Sequence, residues 1–427
     1  MGDRLRFFIN RIRERLWIKP LVMSVLSAVI VFLVKVLDIE EIGQFVPRVT
    51  QDSIETLLTI LSGSMLMIAT FAVGSMVAAY SSASNNATPR AFSLIISDDV
   101  SQNALSTFIG AFIYSVVALI AMKNGYYGTA GRFVLFVLTV LILIIVIVTF
   151  VRWVDRIARL GRLKGTINKV EAATASAFKR RRHAPTLGGV SAWRQPTHGS
   201  QAIYGTIIGS VQQVNVTALQ ACAEKLQVRI TLTALPGTFS APGRALAFIT
   251  RDSSGAADLD ISQIAKAFLI GDDRKFEEDP RFGLVVLSEI AGRALSPAVN
   301  DPGTAIYIIG VFVRLFALWC EPIEESDRQE CDNDRVEVPE ISVQDMFDDA
   351  FTAIARDGAG TVEVAGRLQK AFESLAFVGD SAMRDAALRH SRMALIRAEN
   401  ALQLPEDLQV VRELAGFANE VQLHERL

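Results

Sequence analysis

Cysteine and histidine are scarce in this 427-residue sequence. The three cysteines are Cys222, Cys320 and Cys331, and only four histidines are present. No CxxC pair occurs, and the spacing between cysteines and histidines does not match that of zinc ligands. We therefore expect neither a disulfide framework nor a metal site, and a reducing compartment is the simpler interpretation of the free thiols.

The sequence also lacks the common catalytic and nucleotide-binding motifs. No nucleophile elbow, phosphate loop, zinc signature or dinucleotide fingerprint is found. The formal net charge is −2, so no overall positive field favours nucleic acid as a partner. We therefore expect no enzymatic activity, no bound cofactor and no nucleic-acid binding.

Apolar residues are concentrated in the first third of the chain, and charged residues dominate the rest. Four stretches approach the roughly 20 apolar residues needed to cross the hydrocarbon layer of a membrane. They lie near residues 17–37, 57–80, 105–122 and 133–151. The predicted fold class is an α-helical integral membrane domain of about four transmembrane helices, within residues 1–152. A soluble α+β region with a small β module and a C-terminal helical bundle follows.

The second apolar stretch differs from the fourth, which has no charge and almost no small residue. Small and hydroxyl-bearing residues interrupt the second stretch, namely Ser62, Gly63, Ser64, Thr70, Gly74 and Ser75. This pattern allows either close packing of another helix or a polar pathway lined by hydroxyl groups. For a pathway, the candidate lining residues are Ser62, Ser64, Thr70, Ser75 and the following Arg90, which also suits a lipid phosphate.

Basic residues beside the predicted spans indicate the orientation in the membrane. Arginines and lysines crowd residues 4–19 and 152–164, whereas the loop 38–55 is mainly acidic. This asymmetry predicts a multi-pass protein of the bacterial inner membrane with both termini in the cytoplasm. The basic stretch 4–17 has an amphipathic character suited to anionic headgroups.

The remaining chain divides by composition into four parts. Residues 153–195 form a basic helical connector and linker, and residues 196–256 form a small β module that resembles barrel-sandwich domains. Residues 257–320 form two helices that meet at a polar elbow, and residues 341–427 form the C-terminal helical bundle. The acidic run 321–340 is interpreted as an exposed loop.

Polar side chains gather around the elbow. The candidates for a polar or anion site are Arg274, Asp279, Arg281, Glu289, Arg293, Ser296, Asn300 and Asp301. Either these groups form ion pairs and helix caps that hold an interface, or they bind a small anion through arginine forks and a helix N-terminus. The sequence leaves both interpretations open.

Several phrases resemble a known family. The segments TPRAFSLIISDDVSQNALSTFIGAFIY, GSVQQVNVTAL, PGTFSAPGRAL and GDDRKFEEDPRFGLVVLSEIAGRALSPAVNDPGTA are similar to the bacterial predicted membrane proteins catalogued as domain of unknown function 2254. The resemblance covers most of the chain, and RALSPAVNDPGTA is its most specific part. It implies an inner-membrane location and a shared fold, and it assigns no functional residue.

Three functions agree with these features. The first is a homo-oligomeric channel or transport protein whose second span lines the pathway, with a cytoplasmic vestibule or gating domain. The second is a membrane-anchored sensory or scaffold protein whose cytoplasmic region binds a small anion or a protein partner. The third is a hydrolase that uses Asp279, Glu289 or Asp301, for which the sequence fixes no geometry.

Overall fold

The computed structural model describes residues 17–36, 47–86, 88–96, 99–160, 162–192, 200–251, 262–324, 326 and 331–418. Most of the predicted amphipathic stretch 4–17 and residues 193–195 of the predicted linker lie outside these ranges. The chain separates into two compact units, Met1–Thr166 and Ile167–Leu427. Each unit is described by itself.

The first unit is built from long apolar helices. These are α1 (Ile18–Val36), α2 (Gln51–Asn86), α4 (Asp99–Lys123) and α5 (Thr129–Leu160), with the short α3 (Phe92–Ile96) between α2 and α4. Helix α4 packs against α1, α2 and α5. All four predicted spans are therefore helices, and each is long and apolar enough to cross a membrane.

Small residues and paired hydroxyl groups hold these helices together. A Cβ atom at Gly110 of α4 would lie 3.2 Å from Ser27 Oγ of α1, so glycine permits close packing there. The buried Tyr114 hydroxyl lies 2.9 Å from Thr139 Oγ1 of α5, and Tyr127 donates a 2.6 Å hydrogen bond to the Val31 carbonyl. Gly110 and Tyr114 thus both serve close packing of α4 against its neighbours.

A fifth helix of comparable length and apolarity lies in the second unit. Helix α10 (Pro302–Cys320) falls within the part predicted to be soluble. Its buried side chains pack against α9 (Pro280–Ala294) and α12 (Val362–Ala376). Packing within a helical bundle therefore accounts for much of its apolar surface.

The β strands of the second unit form two sheets around one core. The five-stranded sheet has the order β1 (Gly189–Ser191), β8 (Asn333–Val338), β4 (Val228–Leu232), β6 (Ala245–Arg251), β2 (Gln201–Tyr204). The three-stranded sheet has the order β5 (Phe239–Ser240), β3 (Gly209–Val214), β7 (Phe268–Gly271). Helix α7 (Val216–Leu226) and the short α8 (Ser262–Ala265) share their apolar core.

The interpretation of residues 321–340 as an exposed loop is wrong for its second half. Strand β8 lies between β1 and β4 and pairs with both in parallel. Val336 and Val338 are fully buried in the sheet core. The alternation of apolar and charged residues in NDRVEV is the strand signal, and the acidic residues around it conceal that signal.

The remaining helices form a bundle around α9 and α10. They are α11 (Val343–Asp357), α12, α13 (Ser381–Ala401) and α14 (Pro405–Ala415). His390 of α13 belongs to the core of this bundle, and its side chain is only 1% exposed. It packs against Phe347, Phe351 and Phe372, and its Nε2 atom lies 3.0 Å from Asp348 Oδ1.

Candidate functional site

One side of α2 carries a continuous exposed row of residues, most of them small or polar, together with Met67 and Val77. We call this row the outward stripe of α2. Its members recur every three or four residues, which keeps them on one helical face, and every one of them is exposed. The stripe consists of Asp52, Thr56, Thr59, Gly63, Met67, Thr70, Gly74, Val77 and Ser81.

No described residue of the chain covers the middle of this stripe. A Cβ atom built at Gly63 or at Gly74 would meet no described atom within 4 Å. The opposite face of α2 is buried against the other helices through Ile54, Leu58, Leu61, Met65, Ala72 and Met76. The packed face of α2 is thus apolar, and the glycines and threonines of the stripe face outward beside exposed apolar side chains such as Leu66 and Phe71.

The hydroxyl groups on the stripe present oxygen lone pairs to their surroundings. Thr59 donates its hydroxyl proton to the Glu55 carbonyl at 2.7 Å, and Thr70 donates to the Leu66 carbonyl at 2.9 Å. These bonds satisfy the donors within the helix itself. The oxygens then act as acceptors toward water or a cation.

The structure places the five predicted lining residues at different positions. Thr70 is on the outward stripe, and the exposed Ser64 flanks it. Ser62 and Ser75 are half-buried beside the packed face. Arg90 is an exposed residue of the 3₁₀ turn Pro89–Ala91, beyond the end of α2. The sequence interpretation omitted Asp52, Thr56, Thr59 and Ser81, which helical spacing places on the same face as Thr70.

The predicted polar elbow separates into two groups at opposite ends of α9. At the N-terminal end, Asp279 caps the helix and accepts a hydrogen bond from the Phe282 amide at 3.2 Å. Arg274 binds both oxygens of Asp279, at 2.6 Å and 3.1 Å. Burial raises the pKa of the Asp279 carboxyl, and the Arg274 guanidinium opposes that rise.

A second arginine is buried beside this pair. Arg181 belongs to α6 (Leu163–His183) and is 4% exposed. Burial lowers its pKa to about 10, while Glu278 and Asp279 favour its charged form. Its neighbours Arg180 and Arg182 donate hydrogen bonds to the carbonyls of Glu277 and Glu321. The three arginines thus bind the residues just before α9 and the residue just after α10.

Arg281 faces the helical bundle. Its guanidinium lies 2.7 Å from Asp345 and 2.6 Å from Asp349, both on α11. These carboxyl groups raise its pKa although burial acts in the opposite direction. Arg281 therefore connects α9 to α11 through ion pairs with two carboxylates.

The C-terminal end of α9 holds the other predicted residues. Asp301 caps α10, accepting from the Thr304 amide at 3.1 Å and from its hydroxyl at 2.6 Å. Ser296 donates to the Arg293 carbonyl at 2.7 Å, and Asn300 has a left-handed backbone with φ of 50°. Arg293 and Asn300 are exposed, and Glu289 is half-buried. Because α9 has 15 residues, about 22 Å long, this group is distant from Asp279.

Helix α6 is fastened along α9 and α10 at several points. Tyr307 donates to Asn168 at 2.9 Å, and Arg314 binds both carboxylate oxygens of Glu171 at 2.8 Å and 2.9 Å. A Cβ atom at Gly283 would overlap the Thr174 side chain, so glycine is required where α6 and α9 cross. Since α6 begins three residues after α5 ends, it connects the last apolar helix of the first unit to this network.

Comparison with known proteins identifies relatives but no activity. A family model described as "Predicted membrane protein (DUF2254)" matches residues 13–374. Uncharacterized proteins of Mycobacterium bovis and Mycobacterium tuberculosis are 35% identical over 104 residues, or 24% of this chain. The matched stretch spans 20% of the length of each of these relatives. No solved structure matches the chain.

Proposed function

This chain belongs to the DUF2254 family of predicted membrane proteins, and we propose that it forms an oligomeric channel. Copies of the chain pack around a common axis, and the outward stripe of α2 lines the pathway. The bilayer it occupies is the bacterial inner membrane, with both termini in the cytoplasm. The proposed role is passive transport without a catalysed reaction.

The outward stripe is the observation that carries this proposal. Lipid-facing helices generally present large apolar side chains, as α5 does with Leu141, Ile144 and Val148. Glycine and threonine on a membrane helix instead favour close approach of another helix or contact with water. Because the described residues of one chain leave the stripe uncovered, neighbouring copies are the simplest means of shielding it from lipid.

The chemistry of the stripe favours cations as the transported species. Asp52 stands at one end and supplies a carboxylate ring in a symmetric oligomer. The hydroxyl groups of Thr59 and Thr70 donate their protons to carbonyls of their own helix. Their oxygens therefore remain available as acceptors toward hydrated cations. An anion would need donors instead.

The second unit serves as the gate in this proposal. Helix α6 binds α10 through Asn168 and Glu171, and it binds the residues before α9 and after α10 through Arg180 and Arg182. A displacement of α9 or α10 would therefore act on α6, which follows the last span in the chain.

Ion flux through reconstituted protein tests the channel proposal. Purified protein in liposomes should pass monovalent cations. Thr70→Leu should lower the flux, because the larger leucine side chain narrows the pathway and removes a hydrogen-bond acceptor. Ile144→Leu on the lipid-facing side of α5 is the matched control and should leave the flux unchanged. Asp52→Asn should reduce the preference for cations over anions. Liposomes that stay impermeable under varied voltage, tension and pH would refute the proposal.

The exposed end of the elbow favours a second candidate, a membrane-anchored scaffold or sensor. Pro297, Val299 and Asn300 are exposed beside Arg293, and Val299 is 51% exposed although apolar. A partner protein or small anion bound there would be lost in Arg293→Gln while membrane permeability stayed the same. Retained binding in that variant would remove the elbow as a docking site.

A further inference from the structure

The apolar groove between α1 and α5 has features that the proposed channel does not use. The groove has a volume of about 400 Å³ and is walled only by apolar side chains. They are Ile30, Leu33 and Val34 on α1 and Phe133, Val134, Val137, Leu138 and Leu141 on α5. Leu33, Val137 and Leu141 are about half exposed, so the groove opens on the surface that faces the bilayer.

The length of the groove suits one acyl chain. On α5 its walls run from Phe133 to Leu141, which is about 12 Å along a helix. One leaflet of the hydrocarbon layer is about 15 Å deep. The groove therefore covers most of the depth of a single leaflet, beginning near the ends of the two helices.

Positive charge flanks the groove at its end near the membrane surface. Lys35 follows the wall residue Val34, and Arg132 precedes the wall residue Phe133. The Lys35 ammonium lies 5.4 Å from the centre of the Tyr126 ring. The Arg132 Nε atom is buried and has no hydrogen-bond partner among the described residues. Two cations that adjoin wall residues at this end of the groove complement a negatively charged headgroup.

We propose that this groove is a specific binding site for an anionic phospholipid. One acyl chain lies between α1 and α5, and the headgroup phosphate lies between Lys35 and Arg132. Tyr126 borders the headgroup, as aromatic residues do at membrane interfaces. The lipid site and the outward stripe of α2 have different roles, since the groove holds a lipid and the stripe lines the ion pathway.

Binding of defined lipids to the full-length protein tests the proposal. Protein in nanodiscs or mild detergent is titrated with phosphatidylglycerol and with phosphatidylcholine, and bound lipid is counted by native mass spectrometry. We expect one saturable phosphatidylglycerol site per chain and weaker binding of phosphatidylcholine. The double variant Lys35→Gln with Arg132→Gln should weaken phosphatidylglycerol binding at least about tenfold.

Two further variants separate the groove from general lipid contact. Val137→Trp fills the groove and should reduce binding of both lipids, whereas Leu143→Trp on another side of α5 should not. Lys123→Gln removes a cation at the same end of the helices as Lys35 and is the charge control. Equal, unsaturable binding of both lipids in all variants would overturn the proposal, as would photocrosslinking that places a second copy of the chain in the groove.

Discussion

Asp279 illustrates how a single residue can hold several parts of the second unit together. It caps α9, binds Arg274 through both oxygens and lies close to the buried Arg181. Gly237, at φ of 94°, packs directly against its carboxyl group, where a Cβ atom would overlap. Removing this carboxyl leaves two arginines without their shared partner in a largely buried place.

We therefore expect Asp279→Ala to lower the free energy of unfolding by about 3 kcal/mol. Chemical denaturation of the purified full-length protein, followed by circular dichroism, measures this change. Glu399→Ala removes an exposed ion pair with Arg412, at 2.8 Å, and should cost only about 0.5 kcal/mol. Equal effects of the two substitutions would show that the Asp279 cluster contributes no more than a surface pair.

His390 gives the second unit a pH dependence with a definite sign. Burial lowers its pKa below the ordinary value, and Asp348 acts in the opposite direction. The unfolded chain takes up a proton near pH 6.5, whereas the folded chain resists protonation. The stabilisation is therefore complete above about pH 6.5 and is lost as the pH falls below that value.

We expect the thermal midpoint Tm of the full-length protein to fall between about pH 7 and pH 5, and to fall less in His390→Gln. Differential scanning fluorimetry across that range measures both slopes. The variant keeps a polar group near Asp348 and cannot be protonated. Parallel slopes for the two proteins would mean that other groups govern the acid response.

The sequence alone does not show which residues of a helix point into the packed core and which point outward. The hydroxyls of α2 were visible in the sequence, but Ser62 and Ser75 turn out half-buried while Thr70 is exposed. Which face of α2 packs inside the unit depends on α4 and α5, and these contacts are not local in sequence. The burial of His390 is not predictable from local spacing either, because the phenylalanines that surround it come from α11 and α12.

At the scale of elements, the crossing of α6 and α9 depends on one glycine. Helix α6 approaches α9 where Gly283 faces Thr174, and no space is left for a Cβ atom. Gly283→Ala should therefore lower the free energy of unfolding by about 2 kcal/mol, because the helices must separate. Gly303→Ala is a suitable control, since its nearest described neighbour would be 3.4 Å away.

The double variant Gly283→Ala with Thr174→Ala distinguishes crowding from loss of backbone flexibility. Removing the threonine hydroxyl and methyl groups should restore part of the lost stability. Denaturation curves of the single and double variants give the coupling between the two sites. Strictly additive losses would indicate that the crossing is not the cause.

Elements with strong periodicity were predictable from the sequence, and those defined by distant partners were not. The four apolar helices follow from local spacing. Strand β8 was not expected, because its pairing partners β1 and β4 lie more than 100 residues earlier in the chain. The separation of the elbow residues into two groups also required the true length of α9.

At the scale of the whole molecule, the number of membrane spans is four or five, depending on whether the apolar helix α10 inserts into the membrane. Its Arg314 binds Glu171, and its buried residues pack within the helical bundle. We expect four spans, with α10 outside the membrane, and therefore both termini on the same side. Tags at residues 1 and 427, assayed for protease access in sealed vesicles, should show equal protection.

Insertion of α10 as a fifth span would instead place the two tags on opposite sides. That result would also place Arg314 in hydrocarbon and separate it from Glu171 of α6, which is costly for a charged group. A glycosylation or cysteine-labelling site in the loop before α9 provides an independent control for the position of the second unit.

The channel proposal requires that the outward stripe of α2 faces water inside an oligomer. Full-length protein carrying Thr70→Cys, reconstituted in liposomes, is treated with a charged, membrane-impermeant thiol reagent while cation flux is recorded. Ile144→Cys, a lipid-facing position of α5, serves as the control. We expect rapid labelling at position 70 that blocks the flux, and no labelling at position 144. A cysteine at position 70 that stays as unreactive as the one at position 144, or a flux that survives its complete modification, would contradict a water-facing stripe.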